Sequence, residues 1–436
     1  MAGTKAKTMT ATKLERIAKL SGENPCMEFI GLMPHVNRES LIGCFNELDG
    51  RKAVGIDQVT KEEYGKNLGA NVDDLLRRMK GMRYRPSPVK EVLIPKVNGK
   101  TRPLGISTLE DKMVQLMFSK ILEAIYEPLF YDFSFGFRKG ISAHDAIKAC
   151  LQHLHKGRTN IVLDIDLENF FGTICHKKLI ALLRMKIKDE RFIRYIVRML
   201  KSGVLSEGEM RKTDEGTPQG SCCSPILANI YAHYAIDQWF NEVVRARVGG
   251  EVGLYRYCDD FVICCEREED AERIIQAIKG RMERFALKLN QEKTRKVNFS
   301  KSKKQNGEKQ GTFDFLGFTF YWGKSRKGHW ISKVKTSKKR KRSKLKVVKD
   351  WCRRNRHKAK LLELWKIFCS KLRGHIQYYG VSFNSQEVRN FVYRAVGLFY
   401  KWMNRRSQKR SFSWDSFGRF LKIYPPPKPI VHHRMF

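Results

Sequence analysis

The sequence contains no Cys-x-x-Cys pair, although it has 11 cysteines in 436 residues. The cysteines are scattered, and the adjacent ones are Cys222-Cys223 and Cys264-Cys265. Zinc sites and disulfide frameworks both depend on spaced cysteine pairs, so both are disfavoured. Most of these side chains are expected to be small buried hydrophobic groups with reduced thiols, as in a cytoplasmic protein.

Long apolar segments are also missing. No uninterrupted stretch approaches the roughly 20 apolar residues that a transmembrane helix needs. The first residues, MAGTKAKTMTAT, lack the apolar core of a secretory signal. We therefore expect no membrane partner and a cytoplasmic location.

Acidic residues are few compared with basic ones. The 45 Asp and Glu residues face 85 Lys and Arg residues, which gives a formal net charge of +40. A charge of that size attracts polyanions and releases counterions from phosphate backbones. The hydrophobic fraction, 42%, is ordinary for a globular protein, and the length allows two or three domains. The composition therefore predicts a globular protein that binds nucleic acid.

The basic residues are concentrated after residue 320. Residues 321–360 contain 18 Lys and Arg against one acid, Asp350. Such a run is usually a solvated surface, but its length favours contact with a nucleic-acid backbone. The helical segment after it has Leu361, Leu364, Trp365 and Phe368 at helical spacing, which is more typical of a helix-bundle core than of a base-stacking surface.

Two adjacent acids, Asp259 and Asp260, interrupt the apolar and aromatic run of residues 254–265. The run predicts two short strands with the acids at the tight turn between them. A solvated turn is the common role of such a pair. The alternative is a site for a divalent cation, which would relieve the repulsion between two partly buried carboxylates.

A second pair of acids lies in the buried-strand pattern of residues 161–167. Asp164 and Asp166 are two positions apart, so their carboxylates share one face of the strand. Acids in such a strand are costly unless they are paired or bind a metal. This strand therefore offers the further carboxylate that a metal site at the Asp-Asp turn requires.

Two further segments suggest anion binding. Apolar residues flank Asn98-Gly99, which predicts a hairpin on which Lys96 and Arg102 would either bind a triphosphate or remain solvated. Residues 216–221 form a Gly- and Pro-rich turn into an apolar helix, which is either an anion-binding helix N-terminus or an ordinary cap.

These motifs, in this order and spacing, resemble those of the bacterial reverse transcriptases encoded by group II introns, the intron maturases. The shared elements are Ile-Pro-Lys with a downstream Arg, Asp-Ile-Asp-Leu-x-x-Phe-Phe, Thr-Pro-Gln-Gly-x-x-x-Ser-Pro-x-Leu-Ala-Asn, Tyr-x-Asp-Asp, Leu-x-x-Asn-x-x-Lys-Thr and Phe-Leu-Gly-Phe. The resemblance is strong over residues 28–320 and continues to the C-terminus. The paired-cysteine HNH endonuclease module of some relatives is not expected.

The resemblance implies an α+β right-hand polymerase. Residues 1–27 would be a basic N-terminal extension and residues 28–320 the fingers and palm, with an antiparallel palm sheet. Residues 321–436 would be a basic linker and a helical thumb that is also the RNA-binding maturase (X) domain. The implied activity is RNA-directed DNA polymerisation with intron-RNA binding, which assists splicing and mobility.

The resemblance also implies roles for individual residues. Asp166, Asp259 and Asp260 would bind two Mg²⁺ ions, with Mn²⁺ as an alternative, and Lys293 would donate a proton to the leaving pyrophosphate. Asp166 is preferred over Asp164 because the family has an aromatic sugar gate five positions after the catalytic acid, where Phe171 lies. Lys96, Arg102 and Gln219 would contact the dNTP. RNA would be bound by Lys338, Lys339, Arg340, Lys341, Arg342, Arg353, Arg354, Arg405 and Arg406.

Several positions depart from the family pattern. Cys258 replaces a common Ala, Cys222-Cys223 lie in a stretch that more often contains Gly, and Gly172 and Cys175 replace a frequent Asp and Asn. None of these changes removes a catalytic ligand. The expected partners are an RNA template, intron RNA, a DNA or RNA primer and a DNA target. Two other functions remain open: a host reverse transcriptase in DNA repair or phage defence, and a non-catalytic RNA-binding splicing factor.

Overall fold

The computed structural model describes residues 9–95, 101–156, 158–206, 209–211, 215–217, 220–406 and 413–436. Within them the strands are β1 Val89–Pro95, β2 Thr101–Ile106, β3 Ile161–Asp166, β4 Val204–Ser206, β5 Glu209–Arg211, β6 Val252–Tyr257, β7 Asp260–Cys265, β8 Arg295–Asn298, β9 Phe313–Phe315, β10 Phe318–Lys324 and β11 Trp330–Thr336.

The α-helices of the same residues are α1 Met9–Glu23, α2 Arg38–Glu47, α3 Lys61–Lys66, α4 Leu68–Lys80, α5 Leu109–Tyr126, α6 Ala143–Lys156, α7 Phe170–Thr173, α8 His176–Arg184, α9 Glu190–Leu200, α10 Ser224–Ala232, α11 Arg245–Arg247, α12 Glu268–Arg284, α13 Lys301–Gln305, α14 Lys338–Asn355, α15 Leu361–Tyr379, α16 Ser385–Met403 and α17 Trp414–Ile423. Two π-helical segments, His233–Asp237 and Phe240–Val244, lie between α10 and α11. The chain is therefore α+β, as predicted.

The strands form three sheets. Their orders are β2-β1-β4-β5, β6-β7-β3-β8 and β11-β10-β9. In the second sheet all three strand pairs are antiparallel. This sheet carries both acidic motifs and is the framework of the candidate site.

The β6-β7-β3-β8 sheet separates two hydrophobic cores, because side chains alternate between its faces. Ile161, Leu163 and Ile165 of β3 belong to the first core, with α1, α2, α4, α5, α8 and α9. Val162 belongs to the second core, with α6, β9–β11 and α14–α17. Asp164 and Asp166 lie on the same face of β3 as Val162, because they follow it at intervals of two residues. The prediction that the two acids share a face is therefore confirmed.

The helices begin and end for local reasons that the sequence contains. Thr108 accepts a hydrogen bond from the backbone N–H of Asp111 and caps α5. Thr60 caps α3 in the same way, accepting a hydrogen bond from the backbone N–H of Glu63. Residues 176–200 form two helices, α8 and α9, because the Asp189 side chain caps the second one.

Both ends of residues 28–320 adjoin regular structure. α1 packs against α5, and the Ser21 hydroxyl donates to the carbonyl of Ile125 at 2.6 Å, so residues 9–23 are part of the first core. The other boundary, at residues 320 and 321, falls inside β10, whose alternation continues through β11. In the part of the chain that the structure describes, no helix has both the length and the apolarity needed to cross a membrane.

Candidate active site

The turn between β6 and β7 carries the adjacent acids. Tyr257 pairs with Asp260, which leaves Cys258 and Asp259 as the two turn residues. Cys258 has a φ of +60°, the left-handed conformation that the first central residue of such tight hairpin turns adopts. The predicted strand–turn–strand arrangement around the acid pair is confirmed.

Asp166 lies across the sheet from this turn. β3 runs antiparallel to β7 with Asp166 opposite Asp260 and Asp164 opposite Val262. Directly opposed residues project on the same face, as do residues two apart on one strand. The sheet therefore places Asp164, Asp166 and Asp260 on one face, with Asp259 at its edge.

Burial and nearby negative charge raise the pKa values of the Asp259 and Asp260 carboxyl groups. Burial, followed by the negative charges of Asp164, Asp259 and Asp166, raises the pKa of Asp260 to about 7. The pKa of Asp259 is raised mainly by burial, and Arg102 and Lys293 partly oppose that rise. Several carboxylates therefore compete to remain ionised in a small volume, and an added positive charge would stabilise them.

The residue between the Tyr and the acids adds no further charge. Burial raises the pKa of the Cys258 thiol to about 12, so the group is neutral at pH 7. The change from the common Ala to Cys therefore leaves the charge of the turn unaltered.

Two basic residues pair with the acids of β3. Lys293 Nζ lies 2.7 Å from Asp166 Oδ2, and Arg295 Nη2 lies 2.9 Å from Asp164 Oδ2. The segment before Lys293 is held against the end of β3, since the N–H of Asn290 donates to the carbonyl of Asp166 at 2.8 Å. The Asp164 side chain is 11% exposed and that of Asp166 is 32% exposed. Asp166 is thus the more accessible of the two acids to a ligand.

The donor set suits a hard divalent cation, which prefers carboxylate oxygens. Among the residues described, no three His, Cys, Asp or Glu side chains already surround one point as metal ligands would. The fit rests instead on the shared face of the sheet and on Asp259 and Asp260, whose pKa values are raised first by burial and then by nearby negative charge. Asp166, Asp259 and Asp260 are the residues that would hold the ion.

Arg102 is the predicted nucleotide ligand that the structure places beside the acids. It lies on β2, and its charge lowers the pKa of Asp259 against the effect of burial. The start of the loop into α10 adjoins the same strand, because a Cβ added at Gly220 would lie 2.5 Å from the carbonyl oxygen of Gly105. Lys96 and Gln219, the two other predicted dNTP contacts, lie outside the described residues.

The predicted gate residue, Phe171, follows β3 in the short helix α7. Its carbonyl accepts a hydrogen bond of 2.8 Å from the N–H of Thr217, and the N–H of Gly216 donates to Ile174 at 2.8 Å. Gly216 and Thr217 are therefore fixed by hydrogen bonds to the backbone around Phe171. Gly172 suits this close packing, because a Cβ there would lie 2.3 Å from the side-chain nitrogen of Asn169.

Gly216 gives a test of this packing. It has a φ of +84°, and an added Cβ would lie 2.9 Å from the carbonyl oxygen of Gly172. Gly216→Ala is therefore expected to lower the free energy of unfolding by about 1–2 kcal/mol, measured by urea denaturation. Gly43→Ala is the control, since Gly43 lies in α2 with no atom within 4 Å of its added Cβ. Equal effects of the two substitutions would contradict the proposed packing.

Arg256 is not among the predicted site residues, although it directly precedes Tyr257. Its side chain is fully buried and forms a bidentate pair with Asp237 at 2.6 and 2.5 Å. It also donates to Ser134 at 2.5 Å, to Asn229 at 3.3 Å and to the carbonyl of Cys258 at 3.1 Å. Arg256 therefore ties the turn between β6 and β7 to two other segments. The sequence signal for this role was a charged residue within the apolar run of residues 254–265.

The predicted RNA-binding residues lie on α14 and after α16. The exposed ones are Lys338, Lys339, Arg340, Arg342, Arg353, Arg354 and Arg405. Lys341 instead pairs with Glu387 at 2.6 Å, and Arg406 is half-buried with its guanidinium donating to Ala359 at 2.9 Å. The seven exposed residues are therefore accessible to phosphates, whereas Lys341 and Arg406 are already engaged by protein partners.

Comparison with known proteins agrees with this geometry. The family described as reverse transcriptase (RNA-dependent DNA polymerase) matches residues 94–320. Protein YkfC of Escherichia coli (strain K12) is 33% identical over 276 residues, which cover 56% of this chain and 72% of that protein. Group II intron-encoded protein LtrA of Lactococcus lactis subsp. cremoris is 36% identical over 226 residues, which cover 51% of this chain and 37% of LtrA.

A third relative is the uncharacterized 91 kDa protein in the cob intron of Schizosaccharomyces pombe. It is 40% identical over 201 residues, which cover 45% of this chain and 24% of that protein. The match therefore spans well under half of each of these two intron-encoded relatives. Reverse transcriptases use divalent metal ions and nucleic-acid templates and primers. The chain belongs to the reverse transcriptase family of RNA-dependent DNA polymerases and is similar to members encoded by group II introns.

Proposed function

We propose that this chain synthesises DNA on an RNA template and also binds intron RNA to assist splicing and mobility. In this proposal residues 28–320 are the fingers and palm of a right-hand polymerase, and the helices after β11 are its thumb and maturase domain. The observation that carries the proposal is the pairing of Asp166 with Asp260 across β3 and β7, beside Asp259 in the turn.

The reaction joins the 3′-hydroxyl of a primer to the α-phosphate of a dNTP and releases pyrophosphate. Two Mg²⁺ ions held by Asp166, Asp259 and Asp260, with Mn²⁺ as an alternative, would stabilise the attacking and leaving oxygens. Phosphoryl transfer otherwise requires mainly positioning and neutralisation of charge. The remaining residues of the site are suited to these two tasks.

Arg102 and Lys96 would neutralise the triphosphate. The Arg102 guanidinium can bind two phosphate oxygens at once, whereas an ammonium acts as a point charge. Lys293 would donate a proton to the leaving pyrophosphate, a role that its ammonium group, 2.7 Å from Asp166 Oδ2, supports. Gln219 would also contact the nucleotide. It follows Thr217, whose N–H donates to the carbonyl of Phe171.

Phe171 would exclude ribonucleotides. Its ring follows Asp166 by five positions, and α7 holds it near the end of β3. A ring in that place would contact the 2′-hydroxyl of a ribose and leave room for a deoxyribose. The polymerase would therefore prefer dNTPs.

Primer extension on an RNA template tests the proposal. With Mg²⁺ present, the wild-type protein is expected to extend a DNA primer with dNTPs much faster than with NTPs. Chelation of the metal should stop synthesis, and renewed addition should restore it. Absence of extension by a folded, RNA-binding protein would overturn the polymerase assignment and leave the splicing-factor alternative.

The basic surface of α14 gives a prediction about RNA binding. The triple variant Lys339→Gln, Arg342→Gln, Lys346→Gln removes three exposed charges from one helix. If these groups contact phosphates, the slope of log affinity against log salt should become less steep by about 2. Filter binding of a structured RNA across a range of KCl concentrations measures this slope.

A second triple variant controls for net charge. Arg273→Gln, Lys279→Gln, Arg284→Gln removes three exposed charges from α12, outside the proposed RNA surface. Its salt slope should remain close to that of the wild type. Equal slopes for the two variants would show that RNA responds to total charge and not to α14.

A further inference from the structure

The segment between α5 and α6 is fixed against the turn between β6 and β7, which carries Asp259. The N–H of Phe135 donates to the carbonyl of Arg256 at 2.9 Å, and the N–H of Arg256 donates to Phe133 at 2.8 Å. Gly136 follows, and an added Cβ there would lie 2.5 Å from the backbone nitrogen of Cys258. The carbonyl of Gly136 accepts from the Asn229 side chain at 2.5 Å. These contacts fix the position of Phe137, the next residue, relative to the β6–β7 turn.

That next residue, Phe137, combines two unusual properties. Its φ is +57°, which is a true outlier for a bulky side chain and is typically found at functional sites. The residue is 50% exposed. Packing of a hydrophobic core explains neither the positive φ nor the exposure of Phe137, because its ring is only partly removed from solvent.

The ring of Phe137 contacts the ring of Phe171. Their centroids are 6.0 Å apart at an interplanar angle of 79°, an edge-to-face arrangement. Phe170, which is buried, also contacts Phe171 edge-to-face at 5.7 Å. The half-buried Phe171 ring therefore has one aromatic neighbour in the core and one at the surface.

We propose that Phe137 is a positioning residue for sugar selection: it holds the Phe171 ring in the orientation that excludes a 2′-hydroxyl. This inference rests on the proposed role of Phe171 as the sugar gate. A gate that discriminates on one oxygen atom must keep its ring within a narrow range of side-chain angles. Phe170 restrains the ring from the buried core, and Phe137 restrains it from the exposed surface.

The position of Phe137 also explains why its backbone is strained. Gly136 and Arg256 fix the chain direction up to residue 136, and Arg138 Nη1 donates to the carbonyls of Ser134 and Tyr131 at 2.7 and 2.9 Å. Between these two restraints the left-handed conformation directs the ring toward Phe171. The same contacts make the position of the Phe137 ring depend on the catalytic turn.

The test is the ratio of kcat/KM for a dNTP to kcat/KM for the matching rNTP. Phe137→Ala is expected to lower this ratio by about threefold to tenfold, the effect of losing one aromatic pair. Phe137→Tyr keeps the ring and should retain the wild-type ratio. Phe171→Ala should lower the ratio further, and adding Phe137→Ala to Phe171→Ala should change it little.

Phe383→Ala is the matched control. Phe383 also has a positive φ, +72°, and is 37% exposed, but it packs against Phe436 and Lys333. Its replacement should leave the ratio unchanged, which separates sugar selection from the general effect of removing an exposed aromatic ring.

Three outcomes decide between the assignments. If Phe171→Ala lowers the ratio and Phe137→Ala lowers kcat/KM for both nucleotides equally, the positioning role is overturned while the gate assignment stands. If Phe171→Ala leaves the ratio unchanged, the gate assignment and this inference both fail. If Phe137→Ala lowers the ratio additively with Phe171→Ala, Phe137 acts independently of the gate and the inference is again overturned.

Discussion

Asp259→Asn is expected to lower primer extension by about 10³-fold or more, while RNA affinity stays within about twofold of the wild type. The substitution keeps the shape of the side chain and removes its negative charge, so the turn between β6 and β7 can still form. A divalent cation would lose one anionic ligand, which is worth several kcal/mol of transition-state stabilisation. Single-nucleotide extension and RNA filter binding on the same preparation give both quantities.

Two comparisons make this result specific. Asp73→Asn changes an exposed acid on α4 that pairs with Arg38, and extension should remain at the wild-type rate. Asp259→Asn should also leave thermal unfolding close to that of the wild type, since burial raises the pKa of the Asp259 carboxyl group and its replacement removes a repulsion from Asp260. A parallel loss of synthesis and RNA binding would mean that the acid maintains the fold.

The same assay distinguishes the two acids of β3. Asp166→Asn should be as damaging as Asp259→Asn, because Asp166 is the accessible acid opposite Asp260. Asp164→Asn should cost much less synthesis, since Asp164 is largely buried and pairs with Arg295. The reverse order of effects would transfer the first metal ligand from Asp166 to Asp164.

Local patterns in the sequence were sufficient for the framework of this site. Alternation of polar and apolar residues predicts that Asp164 and Asp166 share a face, and β3 bears this out. The Asp-Asp pair between two apolar runs predicts the β6–β7 turn. In each case the information lies within about ten neighbouring residues, where strand periodicity and turn chemistry dominate.

Contacts between distant residues were beyond such patterns. Lys341 belongs to a basic run in the sequence, but Glu387 on α16 pairs with it after α14 and α16 pack together. The left-handed backbone of Phe137 follows from restraints on Gly136 and Arg138 by other segments. Helix propensity, periodicity and charge do not encode which surfaces meet, so these features required the tertiary structure.

Arg256→Met is expected to lower the free energy of unfolding by about 3–5 kcal/mol, measured by urea denaturation. Arg256 and Asp237 are both fully buried, and loss of the guanidinium leaves the Asp237 carboxylate without its bidentate partner. It also removes the donors to Ser134 and to the carbonyl of Cys258. Synthesis should fall as well under conditions where the variant remains folded, because the turn that carries Asp259 loses a fixed contact.

Two further variants identify the cause of that loss. Arg184→Met breaks an exposed pair with Glu190 and should cost less than about 1 kcal/mol, since water screens surface charges. Adding Asp237→Leu to Arg256→Met removes the unpaired carboxylate and should recover part of the lost stability, because an apolar pair avoids the cost of an isolated buried charge. If Arg256→Met destabilised the protein no more than Arg184→Met, the buried pair would not support the catalytic turn. If the double variant recovered stability but not synthesis, the hydrogen bond to Cys258 would be the contact that activity requires.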